Sequence, residues 1–244
     1  PGDAPVNPAM ESDPDADSES KPPWKGVRLA GLVYAPNLYA TLLSKNLVPF
    51  GVRRLHLVAL PVRMAEDRLS PMAEHNFLLA GHLDSWRTWF GPAEQKWDEL
   101  KKETSGFDNL LDQYDYQRLL LTQRPMGSYK VLYNSSGVHL TACVIDTLGA
   151  EPRVYEYPTQ GLLVDKTTYY TDIEAVSEAH YLCALLNAPC VDEAIKPHQS
   201  RGKGRVGERH ISRTPFEACA IPRFEADDAD HVELARLSQE AHAI

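Results

Sequence analysis

Residues 196 to 213 concentrate positive charge in a pattern that could bind a phosphate backbone. Six cations lie there against a single acid, Glu208. They are Lys196, Arg201, Lys203, Arg205, Arg209 and Arg213. Three interspersed glycines let the main chain adopt left-handed conformations and approach a partner closely. Because proteins hold DNA largely through phosphate and sugar contacts, the segment is typical of a site for a polyanion.

The predicted DNA-binding residues share a side chain that is cationic or able to form directional hydrogen bonds. They are Lys196, Gln199, Ser200, Arg201, Lys203, Arg205, Arg209 and His210, with Arg124 as a second, separate candidate. Arginine either neutralises a phosphate or forms two hydrogen bonds with guanine N7 and O6. The sequence leaves these two kinds of contact open. It also leaves open a solvated loop that binds nothing.

Motifs of known catalytic sites do not occur in the sequence. It contains no G-x-x-x-x-G-K-[ST], no H-E-x-x-H, no G-x-S-x-G and no G-x-G-x-x-G that follows a strand. The nine histidines are scattered and the four cysteines form no C-x-x-C pair. We therefore predict no catalytic residue, no metal site and no cofactor bound by this chain.

The net charge of -9 argues against simple binding to nucleic acid, but the charges are segregated along the chain. Six acids precede the first cation, Lys21, and another acidic run follows the basic segment at residues 225–230. Local charge decides local binding, so the basic segment remains the predicted site. No apolar run is long enough to cross a membrane, and we expect a cytoplasmic protein with no membrane partner.

The pattern along the chain predicts a mixed α/β fold, with a mixed or antiparallel sheet flanked by helices. Residues 1–23 are acidic and nearly free of large apolar groups, which predicts a disordered linker. We predict a mostly helical part with one or two strands over 24–118, and an α/β part over 119–244. Strands are predicted at 119–125, 128–134, 138–148 and 161–173, and helices at 177–188, 190–195 and 230–243.

Several short motifs occur in an unusual order toward the C-terminus. They are Gln123-Arg124, a hairpin, Tyr181-Leu182 with Leu185-Leu186-Asn187, Arg209-His210-Ile211-Ser212-Arg213 and Ile221-Pro222-Arg223-Phe224. This order resembles the C-terminal target-recognition region of large bacterial N6-adenine DNA methyltransferases, which include restriction-modification and phage-defence enzymes. The likeness covers about residues 119–242, and residues 24–118 fit more loosely.

The resemblance implies a module that grips double-stranded DNA while a separate catalytic domain of the parent chain acts on a flipped adenine. The N-P-P-Y-type and S-adenosylmethionine motifs of that catalytic domain do not occur here. The chain begins with Pro1, as a piece of a longer protein would. We therefore expect a non-catalytic specificity fragment whose partners are DNA and the catalytic domain. The alternative is a protein-interaction module of a larger defence protein without direct DNA contact, which the acidic stretches favour.

Overall fold

The chain forms two compact units, each assembled from separate stretches. The computed structural model describes residues 7–15, 20, 24–66, 68–149, 153–155, 157–200 and 209–243. Unit 1 is formed by Pro1–Ala40, Leu57–Arg124 and Arg153–Gln160. Unit 2 is formed by Thr41–His56, Pro125–Pro152 and Gly161–Ile244. The two predicted parts, 24–118 and 119–244, are continuous stretches, whereas both units draw residues from either side of position 119.

Short strands and helices both contribute, and the mixed α/β class is confirmed. The strands are β1 (Ala9–Glu11), β2 (Ala30–Leu32), β3 (Leu38–Leu42), β4 (Leu47–Val48), β5 (Gly51–Val52), β6 (His56–Ala59), β7 (Val62–Ala65), β8 (Arg68–Pro71), β9 (Tyr129–Asn134), β10 (Ser136–Gly137), β11 (Ala142–Asp146), β12 (Arg153–Val154), β13 (Tyr157–Pro158), β14 (Leu162–Val164), β15 (Thr168–Ile173) and β16 (Arg209–His210). The α-helices are α1 (Glu74–Leu79), α2 (Leu83–Ser85), α3 (Gly91–Leu100), α4 (Leu110–Tyr114), α5 (Val176–Leu186), α6 (Pro189–Ile195), α7 (Thr214–Ala218) and α8 (Ala229–His242).

Tryptophans of unit 1 lie in two apolar clusters. Trp86 and Trp89 pack against a cluster that contains Phe77 and Phe90, whereas Trp97 belongs to a second cluster. The pair Gly91-Pro92 is a typical signal for a helix break, but helical structure continues through it. A π-helical stretch, Trp86–Phe90, runs directly into α3, and Pro92 lies in the first turn of α3.

The prediction of disorder is wrong for part of the acidic N-terminal stretch. Strand β1 pairs antiparallel with β2, and Met10 lies opposite Gly31. Met10 also packs against the cluster around Phe77, so one apolar side chain fixes this strand. Gly31 is required by close packing, because an added Cβ would overlap the carbonyl oxygen of Thr88.

Unit 2 is centred on a three-stranded antiparallel sheet with the order β11-β9-β15. The strands predicted at 128–134 and 138–148 are confirmed as this hairpin of β9 and β11. The single strand predicted at 161–173 is two strands, β14 and β15, separated by a turn at residues 165–167. In that turn the Asp165 carboxylate accepts a hydrogen bond from the N–H of Thr167, which supports the bend.

Two other predictions in the region of the likeness need correction. Residues 119–125 do not form a strand, because the Asp115 carboxylate accepts hydrogen bonds from the N–H groups of Leu120 and Leu121 and holds a turn. The helix predicted to start after Ser177 is present as α5, but its N-cap is Ala175. The predicted short helix after Pro189 and the predicted C-terminal helix are confirmed as α6 and α8.

Helix α8 docks in unit 2 through two histidines. The His242 Nδ1–H donates to the Ser238 carbonyl at 2.6 Å, and its Nε2 accepts the N–H of Val144 in β11 at 2.9 Å. His180 of α5 lies 3.2 Å from the Ser238 hydroxyl, and the two imidazoles pack edge to face with centroids 4.7 Å apart. The docking geometry therefore uses a neutral His242, whose Nε2 is an acceptor.

Candidate nucleic-acid interface

The described residues on the two sides of segment 201–208 meet at one place in unit 2. We call this place, residues 196–200 and 209–210, the stem. A 3-10 turn, Lys196–His198, follows α6 and leads to Ser200. The N–H of His210 in β16 donates to the Ser200 carbonyl at 3.0 Å. Two residues that flank segment 201–208, Ser200 and His210, are thus joined by a hydrogen bond. The predicted contacts Arg201, Lys203 and Arg205 lie outside the described residues.

Strand β16 fixes the return side of the stem. It pairs antiparallel with β10, with Ser136 opposite His210 and Gly137 opposite Arg209. The next residue, Ile211, is buried in the apolar core of unit 2, and its N–H donates to the Ser135 carbonyl. An apolar anchor directly after two polar residues therefore keeps Arg209 and His210 at the edge of the unit.

Arg209 is tied to the opposite side of the stem. Its Nη1 donates to the Lys196 carbonyl at 2.7 Å. That carbonyl also accepts the N–H of Gln199 at 3.4 Å, and it lies just after the C-terminus of α6, where the helix dipole places partial negative charge. The bond uses one of five guanidinium N–H groups, so Arg209 can hold the stem and still contact an anion.

Lys196 is a weaker candidate for DNA contact than its charge suggests. Its Nζ lies 2.5 Å from a Glu193 carboxylate oxygen and 3.2 Å from one of Asp192. Hydrogen bonds to Glu193 and then Asp192 raise the pKa of the Lys196 amine, which stays protonated. Two acids of the same helix thus compensate this cation.

Two residues that the sequence analysis missed, His139 and Asp192, complete the stem. The Asp192 carboxylate binds His139 Nδ1 at 2.9 Å and accepts the N–H of Leu140 at 2.8 Å. Burial acts to raise the pKa of Asp192, but the hydrogen bonds from His139, Leu140 and Lys196 outweigh it and hold that pKa below its usual range. No sequence signal joins His139 to Asp192, because 53 positions separate them.

The structure brings together most of the described residues that the sequence nominates. Lys196, Gln199, Ser200, Arg209 and His210 all lie on the stem, where Ser200 and His210 are exposed and Gln199 and Arg209 are half-buried. The remaining candidate, Arg124, is exposed at the end of a stretch of unit 1. The stem therefore carries the candidate interface, and Arg124 stands apart from it in the sequence.

Within the described ranges, no group of three or more His, Cys, Asp or Glu side chains is arranged to hold a metal ion. Among the helices described, none is long and apolar enough to cross a membrane. No protein-family model matches the chain, and no curated protein matches it. The likeness to target-recognition regions accordingly depends on the motifs alone.

Proposed function

We propose that this chain is a DNA-binding module, the target-recognition fragment of an N6-adenine DNA methyltransferase or restriction-modification enzyme. The observation that carries the proposal is the closed stem. Ser200 and His210 share a hydrogen bond, and the nine residues between them include Arg201, Lys203 and Arg205. A segment rich in cations that is tied at both ends has less conformational freedom to lose on binding than a free tail.

The stem would hold DNA chiefly through its phosphates. Arginine and lysine side chains displace condensed counterions from the duplex, so affinity falls steeply as salt rises. The net charge of -9 opposes the approach of DNA from a distance. The isolated chain is therefore expected to bind DNA weakly, and with full strength only beside its missing domain.

In this proposal the chain supplies recognition and a separate domain supplies chemistry. The parent protein's catalytic domain would bind S-adenosylmethionine and take the target adenine out of the stack. This chain would then be non-catalytic, with double-stranded DNA and that domain as its partners in the bacterial cytoplasm. The order of motifs from Gln123-Arg124 to Ile221-Pro222-Arg223-Phe224 supports this parentage.

The test removes three cations at a time from two different places. One variant changes Arg201, Lys203 and Arg205 to Ala. The control loses the same number of positive charges through changes of three exposed residues of unit 1, Arg87, Lys96 and Lys102, to Ala. Fluorescence anisotropy with a labelled random duplex, from about 50 to 200 mM salt, gives affinity and salt slope.

The variant without Arg201, Lys203 and Arg205 is expected to lose at least about tenfold in affinity for DNA. The slope of log K against log salt concentration should become less negative by about 2 to 3, because each lost phosphate contact removes about 0.9 from it. The control should keep the slope of the unmodified chain. Equal slopes for the stem variant and the unmodified chain would remove this segment from the interface.

Protein interaction is the second candidate function, and exposed leucines of α1 favour it. Leu78 is 59% exposed and Leu79 is 83% exposed. Neighbouring exposed apolar side chains of this kind are common at protein interfaces. Retention of the chain on immobilised heparin at low but not at moderate salt supports DNA binding. Absence of retention at low salt supports the second candidate.

A further inference from the structure

His139 lies next to the strand pair that forms the stem. It follows β10 by two residues, and Gly137 of β10 is the pairing partner of Arg209. The His139 carbonyl accepts a hydrogen bond from Asn134 Nδ2 at 2.9 Å, which fixes the main chain at this turn. The imidazole itself is fixed by Asp192 through Nδ1. Position and ring orientation of His139 are therefore set by separate contacts.

The contacts around His139 link four residues of the stem. Asp192 binds both His139 and Lys196. The Lys196 carbonyl accepts the hydrogen bond from Arg209, and the main chain of Arg209 pairs with Gly137, two residues before His139. Two basic side chains thus contact the Asp192 carboxylate, and Arg209 is linked to them through main-chain groups.

Most of the His139 side chain faces solvent, on the side opposite its contact with Asp192. Asp192 occupies Nδ1, while 67% of the side chain is accessible to solvent, which leaves Nε2 for a ligand. In an imidazolium both ring nitrogens donate hydrogen bonds, so Nε2–H can bind a phosphate oxygen while Nδ1–H keeps its bond to Asp192. A neutral ring that donates from Nδ1 offers only an acceptor at Nε2, which repels a phosphate.

We propose that His139 is a phosphate-binding residue of the stem, and that its protonation makes the affinity for DNA rise as the pH falls. This inference rests on the proposed function, because it assumes that the stem contacts DNA. The ligand is the phosphodiester backbone. The histidine adds a contact that does not depend on the bases.

The two carboxylates and the lysine at the stem do not produce the same pH dependence. Asp192 stays ionised at mildly acidic pH because its pKa is held low, and Lys196 stays protonated because its pKa is raised. Glu193 is exposed and paired with Lys196. The remaining histidines near the stem are His198 and His210, which are both exposed. A histidine control is therefore needed.

The experiment compares two asparagine variants of the full chain with the unmodified protein. His139→Asn keeps an amide N–H that can reach Asp192 but removes Nε2 and its proton. His75→Asn, at an exposed position of unit 1 that is not part of the stem, is the matched control. The Kd for a labelled random duplex is measured by fluorescence anisotropy at low salt, at pH values of about 5.5 and 7.5 that bracket the ordinary histidine range.

The unmodified chain and His75→Asn should bind about fivefold more tightly at the lower pH, which is the effect of one partly exposed ionic contact. His139→Asn should lose most of this gain and match the unmodified chain at the higher pH. Far-ultraviolet circular dichroism confirms that each variant is folded. In the unmodified chain, the His139 Cε1–H resonance should shift on addition of the duplex.

Each result separates this inference from the proposed function. DNA binding with the same Kd at both pH values overturns the role of His139 and leaves the proposed function standing. If His139→Asn keeps the whole increase in affinity at the lower pH, or if the His139 resonance does not shift, the role of His139 is likewise overturned and the proposed function stands. No binding of the unmodified chain at either pH overturns the proposed function, and with it the premise of the inference.

Discussion

Acidification should loosen helix α8 because its docking requires neutral histidines. Burial first, and the neighbouring His242 second, lower the pKa of His180 from 6.5 to about 4. Burial also lowers the pKa of His242. The folded state therefore binds protons less readily than the unfolded chain. The stabilisation is complete above pH 6.5 and is lost as the pH falls from 6.5 to about 4.

The size of the effect follows from the shift of His180. Each unit of pKa difference corresponds to about 1.4 kcal/mol, so this group accounts for about 3 kcal/mol of unfolding free energy. Protonation of His242 would add to the loss, because Nε2 could no longer accept the N–H of Val144. Such a loss is a large fraction of the stability of a typical domain.

Urea unfolding at several pH values between about 4.5 and 7.5 provides the assay, monitored by circular dichroism. His180→Asn is the comparison, since its amide can still reach the Ser238 hydroxyl but does not titrate. Its stability should fall less than that of the unmodified chain as the pH decreases, and the difference isolates the histidine from the carboxylates. Parallel curves for the two proteins, or a His180 ring that titrates near 6.5 by NMR, would refute the reasoning.

Two further predictions concern close packing and a buried charge. Gly31→Ala should destabilise unit 1 by about 2 to 4 kcal/mol, because the new Cβ overlaps the Thr88 carbonyl, whereas Gly106→Ala, which meets no atom within 4 Å, should unfold at the same urea concentration as the unmodified chain. Lys130 is fully buried and its Nζ lies 2.6 Å from Asp172. Lys130→Met should therefore lower the unfolding free energy in urea by about 3 kcal/mol, because it leaves the Asp172 carboxylate without this partner. Addition of Asp172→Asn should restore part of the lost free energy. Unchanged stability of either single variant would contradict the packing or charge argument behind it.

The parts of the fold that follow from the sequence are those with a local pattern. Strand β9 and helix α5 carry enough consecutive apolar residues to reveal their periods. Strand β1 does not, because Met10 is the one large apolar residue of that strand and is partly buried only by residues far along the chain. The turn at residues 119–125 also depends on a single side chain, Asp115, whose carboxylate competes successfully with strand pairing.

In the candidate site, too, some features follow from the sequence and others depend on contacts between distant residues. Arg209 and His210 could be nominated because the basic segment is continuous in sequence. Their placement on a closed stem could not, since it depends on pairing with Ser136 and Gly137 more than 70 positions earlier. His139 was not predicted as a site residue for the same reason. No role can be assigned to a histidine in a turn until its carboxylate partner is known.

The anchor at Ile211 has a consequence for the length of the basic segment. The buried Ile211 side chain and the hydrogen bond between His210 and Ser200 belong to residues outside 201–208. Lengthening a connector whose ends are already joined adds little entropic cost. The described contacts of unit 2 therefore set no fixed length for this segment, and a longer or different peptide can be placed between the same two anchors.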